Sequence, residues 1–174
     1  MGDQGASRSA GWIRTVVVGR DPLWTLARIA VLVTLVIVMF KYVVLLRRIE
    51  SISMLPTLRE GTVHVIYRLA YRGERSPARG DVVGIRTSGV TVMYVKRIVG
   101  LPGDTLEIRQ GVVSINGEPL DEPYVRPGRR PWNRAPRSLG PEEYFVIGDN
   151  RSMAQEQHEF GVIQGERIVG KVLW

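Results

Sequence analysis

The chain has 174 residues, 44% of them hydrophobic, and a formal net charge of +7 at neutral pH. That hydrophobic content excludes wholesale disorder, and the absence of cysteine excludes disulfides and thiol chemistry. The length suits one domain with its own core beside a terminal segment.

Residues 1–28 carry Arg8, Arg14, Arg20 and Arg28 ahead of an apolar run from Ile29 to Leu46. The 18 positions of that run hold one charge, Lys41, and at about 1.5 Å per residue they reach roughly 27 Å, near the hydrocarbon thickness of a bilayer. Lys41 lies toward the end and can snorkel to the interface. A secretory signal would be shorter and end in a small-x-small site, whereas this run ends in Leu45, Leu46, Arg47 and Arg48. A buried core helix would keep a polar stripe, and Val31–Met39 offers only Thr34. The pattern predicts a transmembrane helix over 29–46 and a separate domain over 49–174. Basic residues favour a cytoplasmic placement of 1–28 by a slim margin.

Beyond the anchor, short β-prone stretches alternate with turn residues. Strands are expected over Thr62–Leu69, Asp81–Thr87, Val90–Val99, Thr105–Arg109, Val112–Ile115, Tyr144–Ile147 and Arg167–Leu173, with a turn at Asn116-Gly117. The domain is therefore expected to be all-β, mainly antiparallel, as a coiled or barrel-like sheet. Between Arg126 and Pro141, five arginines (126, 129, 130, 134, 137) stand among four prolines and Trp132. This reads as a loop, either simply solvated or meeting anionic headgroups.

Chemistry concentrates in two segments, Ser51-Ile-Ser53-Met54-Leu-Pro56-Thr57-Leu58 and Tyr94-Val-Lys96-Arg97-Ile-Val-Gly100-Leu-Pro102-Gly103-Asp104. Lysine appears only at 41, 96 and 171 among 24 basic residues, and lysine, unlike arginine, can be made neutral by burial. By the two-residue period Val90, Val92, Tyr94, Lys96 and Ile98 share one strand face, which sets Lys96 on an apolar stripe. With an unperturbed pKa of about 10.4, roughly one lysine in a few thousand is neutral at pH 7, so desolvation must supply the base. Taken alone, Lys96 reads equally as a snorkelling lysine, and Ser53 as an N-cap or turn serine.

These segments, with Arg79-Gly80-Asp81-Val82-Val83 and Gly148-Asp149-Asn150-Arg151 in the same order, resemble the bacterial type I signal peptidases, membrane-anchored serine proteases with a Ser/Lys dyad. The resemblance covers about Ile49 to Trp174. It implies that Ser53 is the nucleophile and Lys96 the general base, and that the Ser51 hydroxyl joins the Ser53 backbone N–H in an oxyanion hole. It implies a domain facing out of the cytoplasm at the cell membrane, with preprotein signal peptides and the lipid bilayer as partners. It further implies small side chains at the first and third positions before the cut, and no metal or cofactor. An extended substrate is expected to pair near Glu50–Ser51 and along Met93, Tyr94 and Val95, and Arg97 is expected to bridge Asp149 as a brace.

The last motif departs from the family. Ala154 stands where a serine helps orient the lysine, Glu156 where an aspartate stands, and His158 where an arginine stands. Ser152, a water or a backbone carbonyl is left to serve. The readings that remain open are a specialised pilin or conjugation-protein peptidase, an inactive relative that only binds signal peptides, and a basic nucleic-acid-binding domain. The last would lose affinity steeply with salt. Two distant histidines, His64 and His158, without H-E-x-x-H spacing, argue against a metal site, and a G-x-S-x-G elbow is lacking.

Overall fold

The computed structural model describes residues 22–87, 93–126, 131–154 and 161–173. The expected positions of Val90, Val92, Arg129, Arg130, Glu156 and His158, and all of 1–21, lie outside the described residues. The chain divides into two units, 1–42 and 43–174.

The first unit contains helix α1, Pro22–Val38, which continues as a π-helical turn over Met39–Val43. Among the described residues the 21-residue stretch Leu23–Val43 is the one helix long and apolar enough to cross a membrane. At about 1.5 Å per residue it extends roughly 32 Å. Helical backbone stops at Val43, not at Leu46. Val44, Leu45 and Leu46 belong instead to strand β1 (Val44–Arg48), paired with β2 (Val63–Tyr67) through Leu45↔Ile66 and Leu46↔Val65. A continuous apolar run carries no internal mark of where helix gives way to strand; here the β2 ladder decides it.

The second unit is built on two antiparallel sheets, in agreement with the all-β expectation. The remaining strands are β3 (Val82–Arg86), β4 (Met93–Gly100), β5 (Thr105–Arg109), β6 (Val112–Ile115), β7 (Glu118–Pro119), β8 (Arg134–Ser138), β9 (Glu143–Ile147), β10 (Gly161–Gln164) and β11 (Ile168–Leu173). The larger sheet runs β1-β2-β11-β3-β4-β9-β10 and the smaller β7-β6-β5-β8. Asn116 and Gly117, at φ 53° and 88°, make the tight turn from β6 to β7 that the Asn-Gly pair predicts.

The basic segment 126–141 is not wholly a loop. Arg134–Ser138 pairs with β5 as an edge strand, and Trp132 is buried with Val99, Leu106, Val113 and Phe145 in one core cluster. Trp132 is therefore a packing residue and not a headgroup contact. An edge strand with four of its five side chains exposed shows no apolar alternation, and Pro136 is tolerated because edge positions need not donate to a ladder.

Two further cores flank the larger sheet. Ile49, Met54, Leu58, Ile66, Val82 and Val172 fill one; Val83, Ile85, Ile98, Tyr144 and Val146 fill the other. Gly100 marks a tight crossing on β4. A Cβ there would lie 2.7 Å from Leu139 Cδ1 and 3.0 Å from Phe145 Cβ. Gly100→Ala is expected to cost about 1–3 kcal/mol through overpacking; an unchanged midpoint in chemical denaturation would remove that account.

Candidate active site

Lys96 sits in the middle of β4, opposite Val83 of β3, while Tyr94 stands opposite Ile85 and Ile98 opposite Val146. Residues directly opposite across antiparallel strands share a face, so the ammonium-bearing side chain lies on a surface of valine, isoleucine and tyrosine. Only 4% of Lys96 is exposed, and the same holds for Ser53. Such burial disfavours the charged amine.

Ser53 comes from a single 3-10 turn, Ile52–Met54. Met54, 1% exposed, anchors that turn in the core beside Ile49 and Leu58. The result is a hydrogen bond between Lys96 Nζ and Ser53 Oγ at 2.7 Å, across a sequence separation of 43. An amine at that distance is within reach of the hydroxyl proton.

Ser51 caps the turn. Its hydroxyl oxygen accepts the Ser53 backbone N–H at 3.2 Å, so in this conformation the two expected oxyanion donors are engaged with one another instead of both facing an open position.

The Gly148-Asp149-Asn150-Arg151 segment closes the back of the site. Asn150 N donates to Ser53 O at 2.9 Å, and Asn150 Nδ2 to Ile52 O at 3.1 Å. Ser152 donates its hydroxyl to Asn150 Oδ1 at 2.6 Å. Arg97 holds Asp149 bidentately, Nε to Oδ1 at 2.9 Å and Nη2 to Oδ2 at 2.6 Å, and its Nη1 reaches Gly80 O at 2.7 Å. Burial opposes the Arg97 charge, yet the Asp149 carboxylate more than offsets this and holds the guanidinium above its ordinary pKa. Thr57 donates to Asp149 as well, which ties the end of the serine segment to the same carboxylate.

The sequence reading missed a second layer. Arg97 stacks on the ring of Tyr124, 3.9 Å from its centroid, and Arg151 pairs with the fully buried Glu122, which also accepts from Tyr124 Oη at 3.2 Å. Burial, and after it the Glu122 charge, raises the Tyr124 phenol, so it serves as a donor throughout the ordinary pH range. A signal existed only in retrospect: Asp121-Glu122-Pro123-Tyr124 looks like any polar turn.

In front of the dyad lies a cleft of about 540 Å³ whose lining includes Glu50, Ser51, Ser53, Met93, Tyr94, Val95 and Lys96. All the residues expected to meet substrate therefore border one space. The β3 ladder covers Met93–Arg97, whereas the registered pairs with β9 are at Arg97, Ile98 and Gly100. The Met93–Val95 backbone thus runs beside the cleft, past the end of the β9 ladder.

Comparison with known proteins gives a consistent picture. The family model described as "Signal peptidase, peptidase S26" matches residues 23–174. A protein described as probable signal peptidase I-2 of Synechocystis sp. (strain ATCC 27184 / PCC 6803 / Kazusa) is 34% identical over 131 residues, 72% of this chain and 59% of that protein, so the chain spans less than two thirds of that relative's length. Signal peptidase I of Bacillus caldolyticus is 32% identical over 167 residues, 88% of each chain. Signal peptidase I T of Bacillus subtilis (strain 168) is 36% identical over 153 residues, 82% of this chain and 77% of that one.

Proposed function

Because the chain belongs to the peptidase S26 family of signal peptidases, we propose that it is a membrane-anchored serine endopeptidase that removes N-terminal signal peptides from exported preproteins. The observation that carries this reading is the 2.7 Å contact between Lys96 Nζ and Ser53 Oγ, with both residues buried.

The neutral Lys96 amine takes the proton of Ser53 Oγ as that oxygen adds to the scissile carbonyl. The resulting ammonium returns the proton to the leaving amine, the signal peptide stays on Ser53 as an ester, and a water deprotonated by Lys96 then hydrolyses it. During addition charge develops on the carbonyl oxygen. Rotation of the Ser51 hydroxyl away from the Ser53 N–H frees both groups to donate to that oxygen, an arrangement whose individual donors are commonly worth about a hundredfold or more in rate. The extended substrate pairs with the Met93–Val95 backbone. Arg97 and Asp149 touch no reacting atom; they hold the turn that holds Ser53. In this reading the residues before Leu23 lie in the cytoplasm, the apolar helix Leu23–Val43 spans the bilayer, and the β domain faces outward, where a translocated cleavage site emerges.

Purified protein incubated with a preprotein should cut it after the signal sequence, and Ser53→Ala should not. Equal cleavage by both would end the serine peptidase reading. The pH dependence has a definite sign. Only the unprotonated amine is a competent base, so kcat/KM should climb as pH rises through the Lys96 ionisation; a profile flat between about pH 6 and about pH 10 contradicts a lysine base.

A further inference from the structure

Ser53 follows β1, Lys96 and Arg97 lie on β4, and Asn150 follows β9, all strands of the larger sheet. Tyr124 comes instead from the connection between β7 and β8 of the smaller sheet. Val125 N donates to Glu122 O at 3.0 Å, a turn that presents Glu122 and Tyr124 together. The edge of the Arg97 guanidinium is committed to Asp149, Gly80 O and, at 3.3 Å, Thr57. In-plane bonds leave the tilt of a planar group to whatever covers its faces, and the Tyr124 ring covers one at 3.9 Å. Such a contact strengthens when the cation is desolvated, and the Arg97 side chain is nearly inaccessible. The same tyrosine reaches the other end of the turn behind Ser53. Its hydroxyl donates at 3.2 Å to Glu122 Oε1, the oxygen that accepts from Arg151 Nη2, and Arg151 Nε donates to Gly148 O at 3.0 Å. Asp149 and Arg151 flank Asn150, whose N and Nδ2 hold the carbonyls of Ser53 and Ile52.

We propose that Tyr124 is a positioning residue for the cleavage reaction: by seating the Arg97 guanidinium it fixes Asp149, and through Asn150 it sets the approach of Ser53 Oγ to Lys96 Nζ. The proposal rests on the peptidase reading above and extends it to the smaller sheet, which thereby takes part in catalysis instead of serving only as a scaffold. Tyr124 touches no reacting atom. Its ring carries the larger share, because Glu122 keeps a charge-assisted partner in Arg151 when the neutral hydroxyl is removed. Without the ring, Arg97 can tilt and draw Asp149 with it. A displacement of about 1 Å at the nucleophile is enough to cost on the order of a hundredfold in rate. Substrate binding is left alone, since Tyr124 does not line the cleft in front of the dyad.

Cleavage of a preprotein by the full chain in detergent solution tests this with Tyr124→Phe, which keeps the ring, and Tyr124→Leu, which removes it; Tyr124→Met replaces the latter if it does not fold. Tyr124→Leu is expected to lower kcat about tenfold or more with KM within about twofold of the parent, and Tyr124→Phe to stay within about threefold in kcat. Each rate is also measured in an Asn150→Ala background. A substitution that merely leaves fewer molecules folded loses the same factor in both backgrounds, whereas a residue acting through Asn150 loses a smaller factor once that side chain is gone. Unchanged kcat in Tyr124→Leu, a loss confined to KM, an equal loss in Tyr124→Phe, or a factor that persists undiminished without the Asn150 side chain would each overturn the proposal. If the unaltered protein and every variant leave the preprotein whole, it is the peptidase reading that fails, and the proposal with it.

Discussion

Lys96→Arg is expected to lower kcat by about 10⁴-fold or more, although it preserves the positive charge. The guanidinium remains protonated in proteins and cannot accept the proton of Ser53 Oγ, which lies 2.7 Å from the native amine. Arginine is also bulkier than the lysine it replaces, at a position where the native residue is only 4% exposed, so a second variant separates chemistry from packing. Lys96→Met keeps the length of the side chain and removes a charge whose burial is costly. It should be at least as stable as the parent and equally unable to cleave a preprotein in detergent solution. Adding Ser53→Ala to either variant should cause little further loss, because nucleophile and base act as a unit. Near-parental turnover by Lys96→Arg would remove the general-base assignment outright.

Lys96 was legible in the sequence because lysine is scarce in this chain and because a two-residue period fixed its neighbours without knowledge of the fold. The structure bears out that face as far as it is described, with Ile98, Val83 and Val146 around the side chain. Strands with apolar alternation, such as β5 and β6, fall on the residues expected. Strands without it were hidden. β1 is masked by the apolar run that precedes it, and β8 consists of mostly exposed residues whose strand conformation comes from pairing with β5 and not from its own composition.

The same division holds at the site. Motif residues announced themselves, whereas Glu122 and Tyr124 did not, since their role depends on contacts with Arg151 and Arg97, which lie far away along the chain; Thr57 was visible as a motif position but not as a partner of Asp149. Periodicity reports on a residue's own face of a strand; it carries no information about which distant charge a loop carboxylate will meet. Ser51 illustrates a further limit. Its position beside the nucleophile was readable, but that its hydroxyl caps the turn by accepting the Ser53 N–H is a matter of side-chain rotation.

Breaking the Arg97–Asp149 pair should cost most of the domain's stability. The two groups are nearly inaccessible, at 7% and 1% side-chain exposure, and removal of one partner of a buried pair strands the other charge, at about 3–5 kcal/mol. Arg97→Met and Asp149→Leu are each expected to fall in that range by urea unfolding. The double variant should be far less impaired than the sum, because replacing both charges with apolar groups leaves no uncompensated ion. A coupling energy of about 2 kcal/mol or more is expected; no coupling would reduce the pair to two separately anchored side chains. Thr57 and Gly80 O also bind this pair, so some residual loss in the double variant belongs to their unmet hydrogen bonds. Activity should fall further than stability alone accounts for, measured where all variants remain folded. Asn150 follows Asp149 directly and holds the carbonyls of Ile52 and Ser53, so loosening Asp149 loosens the turn that aims Ser53 Oγ at Lys96, and misplacement by about 1 Å is enough to cost on the order of a hundredfold.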